Sequence, residues 1–235
     1  MMTKENTLFA IIGLLVGLIA GFVTANSINQ SAVVQPVPGL QAPGQQAAGL
    51  PAGHPSIPGS QGGSIPEVQA AIEKAKADPK DFEAQMKAAE LYYQIQRFDG
   101  AIEYLKKANE LQPENYEVML NLGNANFDAG KYDEAEKWYT TALTKRPDDG
   151  DARTDLGLTF IFRSSPDYDR AVQEFQRVLD ANPNHVQALQ NLTVAYTKKA
   201  DAANAAATFA RLEQIDAANG ALPQLREELQ KLQNK

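Results

Sequence analysis

The side chains best suited to chemistry near neutral pH are imidazoles, and this chain of 235 residues carries two, His54 and His185. Neither has a His, Asp or Glu partner at the i+3 or i+4 spacing that lets one helix face hold a metal or relay a proton. The run Asp148, Asp149, Gly150, Asp151 brings carboxylates together around a glycine, as a calcium loop does. It lacks the alternating ligands and closing glutamate that such a loop needs, and its position between two helical segments calls for helix caps instead. There is no cysteine, which removes disulfides, thiolate nucleophiles, Cys-ligated zinc and lipid attachment at an N-terminal cysteine. Glycine-rich stretches fall in residues 26–64, where no strand-to-helix context exists to cradle a phosphate. The many carboxylates of residues 67–235 are what solvated helix faces carry. The reading is of a chain with no enzyme centre, no cofactor and no metal.

The elements that would have to position any site divide the chain into three regimes. Residues 7–25, TLFAIIGLLVGLIAGFVTA, contain no charge; residues 26–64 are also uncharged but crowded with Pro, Gly, Gln and Ala; from Glu67 onward charge is dense. Lys4 and Glu5 are the only charged side chains before Glu67 and they cancel, so the formal net charge of -7 belongs to the C-terminal part. An acidic surface repels phosphate backbones, which argues against nucleic acid as a partner.

The 19 residues from position 7 to position 25, at about 1.5 Å each, reach roughly the 30 Å of a hydrocarbon core. The expectation is one transmembrane helix acting as a signal anchor. The alternative is a secreted protein cleaved near Ala25, since Val23, Thr24 and Ala25 resemble a small-residue cleavage site. The long apolar run and the weakly basic leader, residues 1–6, favour the anchor. Gly13, Gly17 and Gly21 line one helix face, the pattern by which membrane helices approach closely, and offer a route to a homodimer. Lys4 and the α-amino group place the N-terminus in the cytoplasm and the remainder outside it, in a bacterial periplasm on this reading. Residues 26–64 have no apolar periodicity and cannot bury enough surface to offset chain entropy. They are expected to form a disordered linker with a root-mean-square span of about 35 Å.

Beyond the linker the sequence repeats. FDGA at 98–101, YDEA at 132–135 and YDRA at 168–171 recur at intervals of 34 and 36 residues. Each begins a helical run ending at Pro113, Pro147 or Pro183, and a second helix stands upstream of each. This pattern resembles the tetratricopeptide repeat family over residues 79–217, with approximate units 82–115, 116–149, 150–185 and 186–219. The resemblance implies an all-α fold: a right-handed α-solenoid of about four helix-turn-helix units. Helices at 65–78 and 221–235 are expected to cap its ends. The family's small residue of the first (A) helix falls on Ala89, Gly123 and Gly157, with Thr193 departing. The alanine opening the second (B) helix falls on Ala101, Ala135, Ala171 and Ala205. A second B-helix alanine falls on Ala108 and Ala142, with Val178 and Leu212 in its place later. Physically, two helices that cross closely in every unit need small residues at the crossing, while Leu122, Leu156, Leu192, Tyr139, Phe175 and Phe209 fill the space around it. Asp99, Asp133 and Asp169 lie in the first turn of each B helix, where a carboxylate suits the dipole. Two extra residues in the third unit's turn, RSSPDYD, read as an edge insertion.

In the family the A helices line a groove. Carried across unit by unit, the resemblance places in it Met86, Lys87, Glu90 and Tyr93; Asn121, Asn124 and Phe127; Asp155, Leu158 and Phe162; and Asn191, Val194 and Thr197. The asparagines are the strongest candidates, because an amide both donates to and accepts from a peptide backbone. Tyr93, Phe127 and Phe162 are candidates to seat apolar side chains. The family's chaperone-binding branch grips a terminal carboxylate with basic residues, but here those places hold Met86, Glu90, Asp151 and Asp155. The expected ligand is a neutral or basic extended segment of a partner protein. The favoured function is a membrane-tethered adaptor for assembly or maturation of envelope complexes; the alternatives are a self-associating scaffold, or an accessory subunit of an envelope enzyme complex such as cytochrome biogenesis.

Overall fold

The computed structural model describes residues 65–234, and within them the chain is helical throughout, with no strand. A single helix, α1 (Ile65–Ala77), precedes four hairpins: α2 (Phe82–Gln94) with α3 (Phe98–Leu111), α4 (Tyr116–Asp128) with α5 (Tyr132–Lys145), α6 (Gly150–Phe162) with α7 (Tyr168–Ala181), and α8 (Val186–Lys198) with α9 (Ala202–Ile215). A last helix, α10 (Leu222–Gln233), follows. Each helix packs on the next, and the A helices also touch one another, α4 with α6 and α6 with α8. That pattern is a solenoid, in which a unit has only its neighbours to bury against. Among the described residues no helix is long and apolar enough to cross a membrane. The expected membrane segment at 7–25, with Gly13, Gly17 and Gly21, and the expected linker at 26–64 with His54 lie outside the described residues.

Side-chain caps set the start of every A helix. Asp81 accepts from the Ala84 N–H at 3.0 Å, Asn115 from Glu117 at 3.0 Å, Asp149 from Ala152 at 2.9 Å, and the His185 imidazole from Ala188 at 3.3 Å. The B helices are less uniform: Asp167 and Asp201 cap α7 and α9, whereas Arg97 and Lys131 give α3 and α5 no side-chain cap. Asp99, Asp133 and Asp169 reach instead to Lys131, Arg163 and Lys199 in the next unit's turn. These ion pairs are largely exposed and register neighbouring units more than they stabilise them.

Three of the A-to-B turns close through one residue in the left-handed region: Gln96 and Ala200 at φ 59° and Gly130 at φ 71°. Only the second unit meets that requirement with glycine, the residue that adopts it without strain. The longer third turn needs no positive φ at all, because Arg163 leaves the helix extended and the Asp167 N–H returns to the Phe160 carbonyl at 2.8 Å. Proline turns out to be dispensable as a terminator. Helix α9 ends at Asp216 with nearly the same backbone as α5 and α7 reach at Arg146 and Asn182, although Ala217 stands where they have proline.

The helix crossings explain the small residues. A Cβ built on Gly123 would lie 2.5 Å from the Tyr139 ring, and one on Gly157 would lie 2.4 Å from the Phe175 ring. Glycine and a large aromatic therefore share one space. In the first unit the partition shifts to Ala89 and Leu105, both buried. The fourth pairs Thr193 with Phe209, and Phe209 is 8% exposed where Tyr139 and Phe175 are fully buried. Ala101, Ala135, Ala171 and Ala205 are likewise fully buried. Gly157→Ala should accordingly cost about 1–3 kcal/mol by overpacking. Phe175→Leu in the same chain should recover part of that, read as a coupling energy in a urea double-mutant cycle. Additive costs would show that the glycine and the ring do not compete.

Candidate functional site

Helical periodicity puts residues i, i+3 and i+7 on one face. On α4 that stripe is Asn121, Asn124 and Asp128; on α6 it is Asp155, Leu158 and Phe162. Packing α4 beside α6 brings the two stripes together, and the groups of α2 and α5 join them. The Tyr93 hydroxyl of α2 donates to the Asp128 carboxylate, with its ring edge-on to Phe98 at 5.3 Å. Burial, then the Asp128 charge, pushes the Tyr93 phenol well up from its ordinary value. From α5, Tyr139 crosses beneath Gly123 and its hydroxyl donates to Asn124 Oδ1 at 2.8 Å. Burial and the nearby Asp155 and Asp128 charges raise this phenol too.

That bond commits part of Asn124: one lone pair of its amide oxygen is taken by a tyrosine inside the repeat core. Asn121 and Asn191 differ: neither makes a hydrogen bond among the described residues, Asn121 being half-buried and Asn191 buried in α8.

The remaining expected groove positions spread over several roles. Met86 packs against the N-terminal core and Val194 against the C-terminal core, while Leu158 is a core member. Lys87 is exposed and pairs with Glu90 at 3.0 Å, and Glu90 also accepts from Gln94 at 3.0 Å. The Thr197 hydroxyl donates to the Thr193 carbonyl at 2.8 Å. Phe127 and Phe162 meet edge to face at 5.8 Å, and both contact Tyr132. Phe162 is 43% exposed, the larger of two exposed large apolar side chains among the described residues. It borders a shallow cleft with Gly130, Lys131, Tyr132 and Arg163 at the edge where the inserted turn begins.

Asp155 stands apart. It is 5% exposed and has no hydrogen bond or ion pair among the described residues. Burial, and then the charges of Asp151, Asp128 and Asp149, push its carboxyl well above the usual carboxylate range. The other acids nearby have donors: Asp128 has Tyr93, Asp149 has the Tyr116 hydroxyl at 2.5 Å, and Asp151 has His185 Nε2 at 3.1 Å.

One of these groups was hidden from sequence reasoning: Tyr139 reads as a space-filler, whereas Asp128 is read with Glu83 and Glu117 as an acid beside the groove. The available signal was the hydroxyl itself, since the matching positions of the other units hold Leu105, Phe175 and Phe209.

The tetratricopeptide repeat profile matches residues 63–111, 87–152 and 162–220, together more than half of the chain. Among solved structures, the crystal structure of MamA is similar at 26% identity, covering 64% of this chain and 87% of that one with a TM-score of 0.59. YrrB, described as a tetratricopeptide protein with an unusual peptide-binding site, is similar at 18% identity over 69% of this chain and 82% of its own, with a TM-score of 0.60. A tetratricopeptide repeat protein from Parabacteroides merdae matches at 19% identity over 72% of this chain and 66% of its own, with a TM-score of 0.62. At such identities the latter two speak to the fold alone.

Proposed function

Because this chain belongs to the tetratricopeptide repeat family, whose repeats serve as protein-interaction scaffolds, we propose that it is an adaptor that lays an extended segment of a partner protein along the A-helix face. The observation that carries this reading is the pair of amides at Asn121 and Asn191. They are polar groups on that face with no protein partner among the described residues, and an unpaired amide is what a passing peptide backbone completes. In the same reading residues 7–25 anchor the chain in a membrane and residues 26–64 tether the repeats outside the cytoplasm. The uncharged composition of both stretches supports this.

A photo-crosslinking residue at exposed Lys87, in native membranes, identifies the partner by mass spectrometry. With that partner in hand, Asn121→Ala combined with Asn191→Ala should weaken binding by roughly 5- to 150-fold, since each hydrogen bond contributes about 0.5–1.5 kcal/mol. The melting temperature should barely move, because neither amide holds another group of the protein. Binding that survives the double substitution would remove the amides from the proposal. Protease access in spheroplasts tests the anchor separately: digestion of the repeats only after the inner membrane is breached would contradict an extracytoplasmic placement.

A further inference from the structure

A buried carboxylate ordinarily has a donor or a cation beside it, because desolvating the charge alone costs more than the fold recovers. Asp155 has neither, and the chain's own candidates are committed elsewhere. Arg153, on the same helix, turns to Glu174 at 2.9 Å and to the Pro147 carbonyl at 2.8 Å. Arg163 is held by Glu136, and His185, at the start of α8, is spent on Asp151 and its own cap. The Tyr139 hydroxyl is directed to Asn124 and the Tyr93 hydroxyl to Asp128. The charged groups acting on Asp155 are therefore the carboxylates Asp149 and Asp151 on its own side and Asp128 from α4. Among the described residues no three His, Asp or Glu groups are placed to share a metal ion. At the same register the other A helices carry Lys87, Asn121 and Asn191, so the carboxylate is specific to the third unit.

Resting on the adaptor reading, we propose that Asp155 selects the partner: the bound segment presents a lysine or arginine whose cation meets this carboxylate between Asp128 and Asp151. A long aliphatic stem carrying a terminal charge is the side chain able to reach an acid set below the surface. The arriving cation makes up the missing counter-charge. Asp155 is thus a specificity-determining residue whose presence burdens the unbound fold.

The test uses the full-length chain and extended nonapeptides whose central residue is Lys, Arg, norleucine, Gln or Glu, with affinity read by fluorescence anisotropy. Lys and Arg peptides should bind at least about tenfold tighter than the norleucine peptide, and this advantage should shrink as pH falls and Asp155 keeps its proton. In Asp155→Asn the preference should vanish while the melting temperature at neutral pH rises, a pairing that a purely structural residue would not produce. Equal affinity for Lys and norleucine peptides, or a preference that persists in Asp155→Asn, overturns the assignment and leaves the adaptor reading standing. Failure of every peptide to bind overturns both.

Discussion

Phe175→Ala is expected to remove about 3–5 kcal/mol of stability, the largest loss from a single truncation in the repeats. The ring is fully buried on α7 and occupies the volume that Gly157 leaves open on α6, close enough that a Cβ there would sit 2.4 Å from it. Removing it opens a cavity at a crossing where the helix backbones already lie near each other, so little collapse is available to offset the loss. The effect should also change the form of unfolding. A solenoid is held together by nearest-neighbour contacts, and a weakened third unit stands between the second and the fourth. Urea denaturation followed by far-UV circular dichroism should show a lower midpoint and a shallower slope, as units on either side begin to unfold separately. A loss below about 1 kcal/mol would mean that the ring is not the keystone of its hairpin.

Ala135→Leu should be nearly as damaging by the opposite route. Ala135 opens α5 and is fully buried in the cluster that contains Tyr139 and Leu156. Leucine adds three carbons to a site already at van der Waals contact, and overpacking of this kind costs about 1–3 kcal/mol and occasionally more. The upper end is expected here, because Ala135 and Tyr139 are both fully buried in the same cluster and the Tyr139 hydroxyl is tied to Asn124. Thermal melting of Ala135→Leu beside Ala135→Gly separates the causes. Glycine should cost only about 1 kcal/mol, the helix-propensity difference, whereas the leucine variant should lose most of its cooperative transition. Equal melting temperatures for Ala135→Leu and the parent chain would refute a close crossing at this position.

The two predictions share a cause with the asymmetry between what could and could not be read in advance. The helices and their pairing announced themselves because periodicity is a local property: each unit states its apolar stripe, its small residues and its turn within about 34 residues. The two-residue insertion in the third unit was equally visible in the spacing, although not its consequence, a turn that dispenses with the left-handed residue that Gln96, Gly130 and Ala200 supply elsewhere. Proline misled in the other direction. It marks three helix ends by position, yet the fourth stops in the same geometry without it.

The A-helix face resisted prediction for a different reason. Asn121 and Asn191 share one register and Asn124 stands three residues beyond Asn121 in the same helix, but that spacing does not say which amide is already bonded. Asn124 is claimed by Tyr139 because the B helix crosses beneath Gly123, and Asp155 is left without a donor because the hydroxyls near it, those of Tyr93 and Tyr139, are given to Asp128 and Asn124. The linear order of residues thus determined an all-helical repeat array of the tetratricopeptide kind, since that outcome follows from patterns within a unit. Which polar groups on its face are spent and which remain open was decided by tertiary structure, because hydrogen-bond partners are allotted by packing between helices, where sequence distance carries no information.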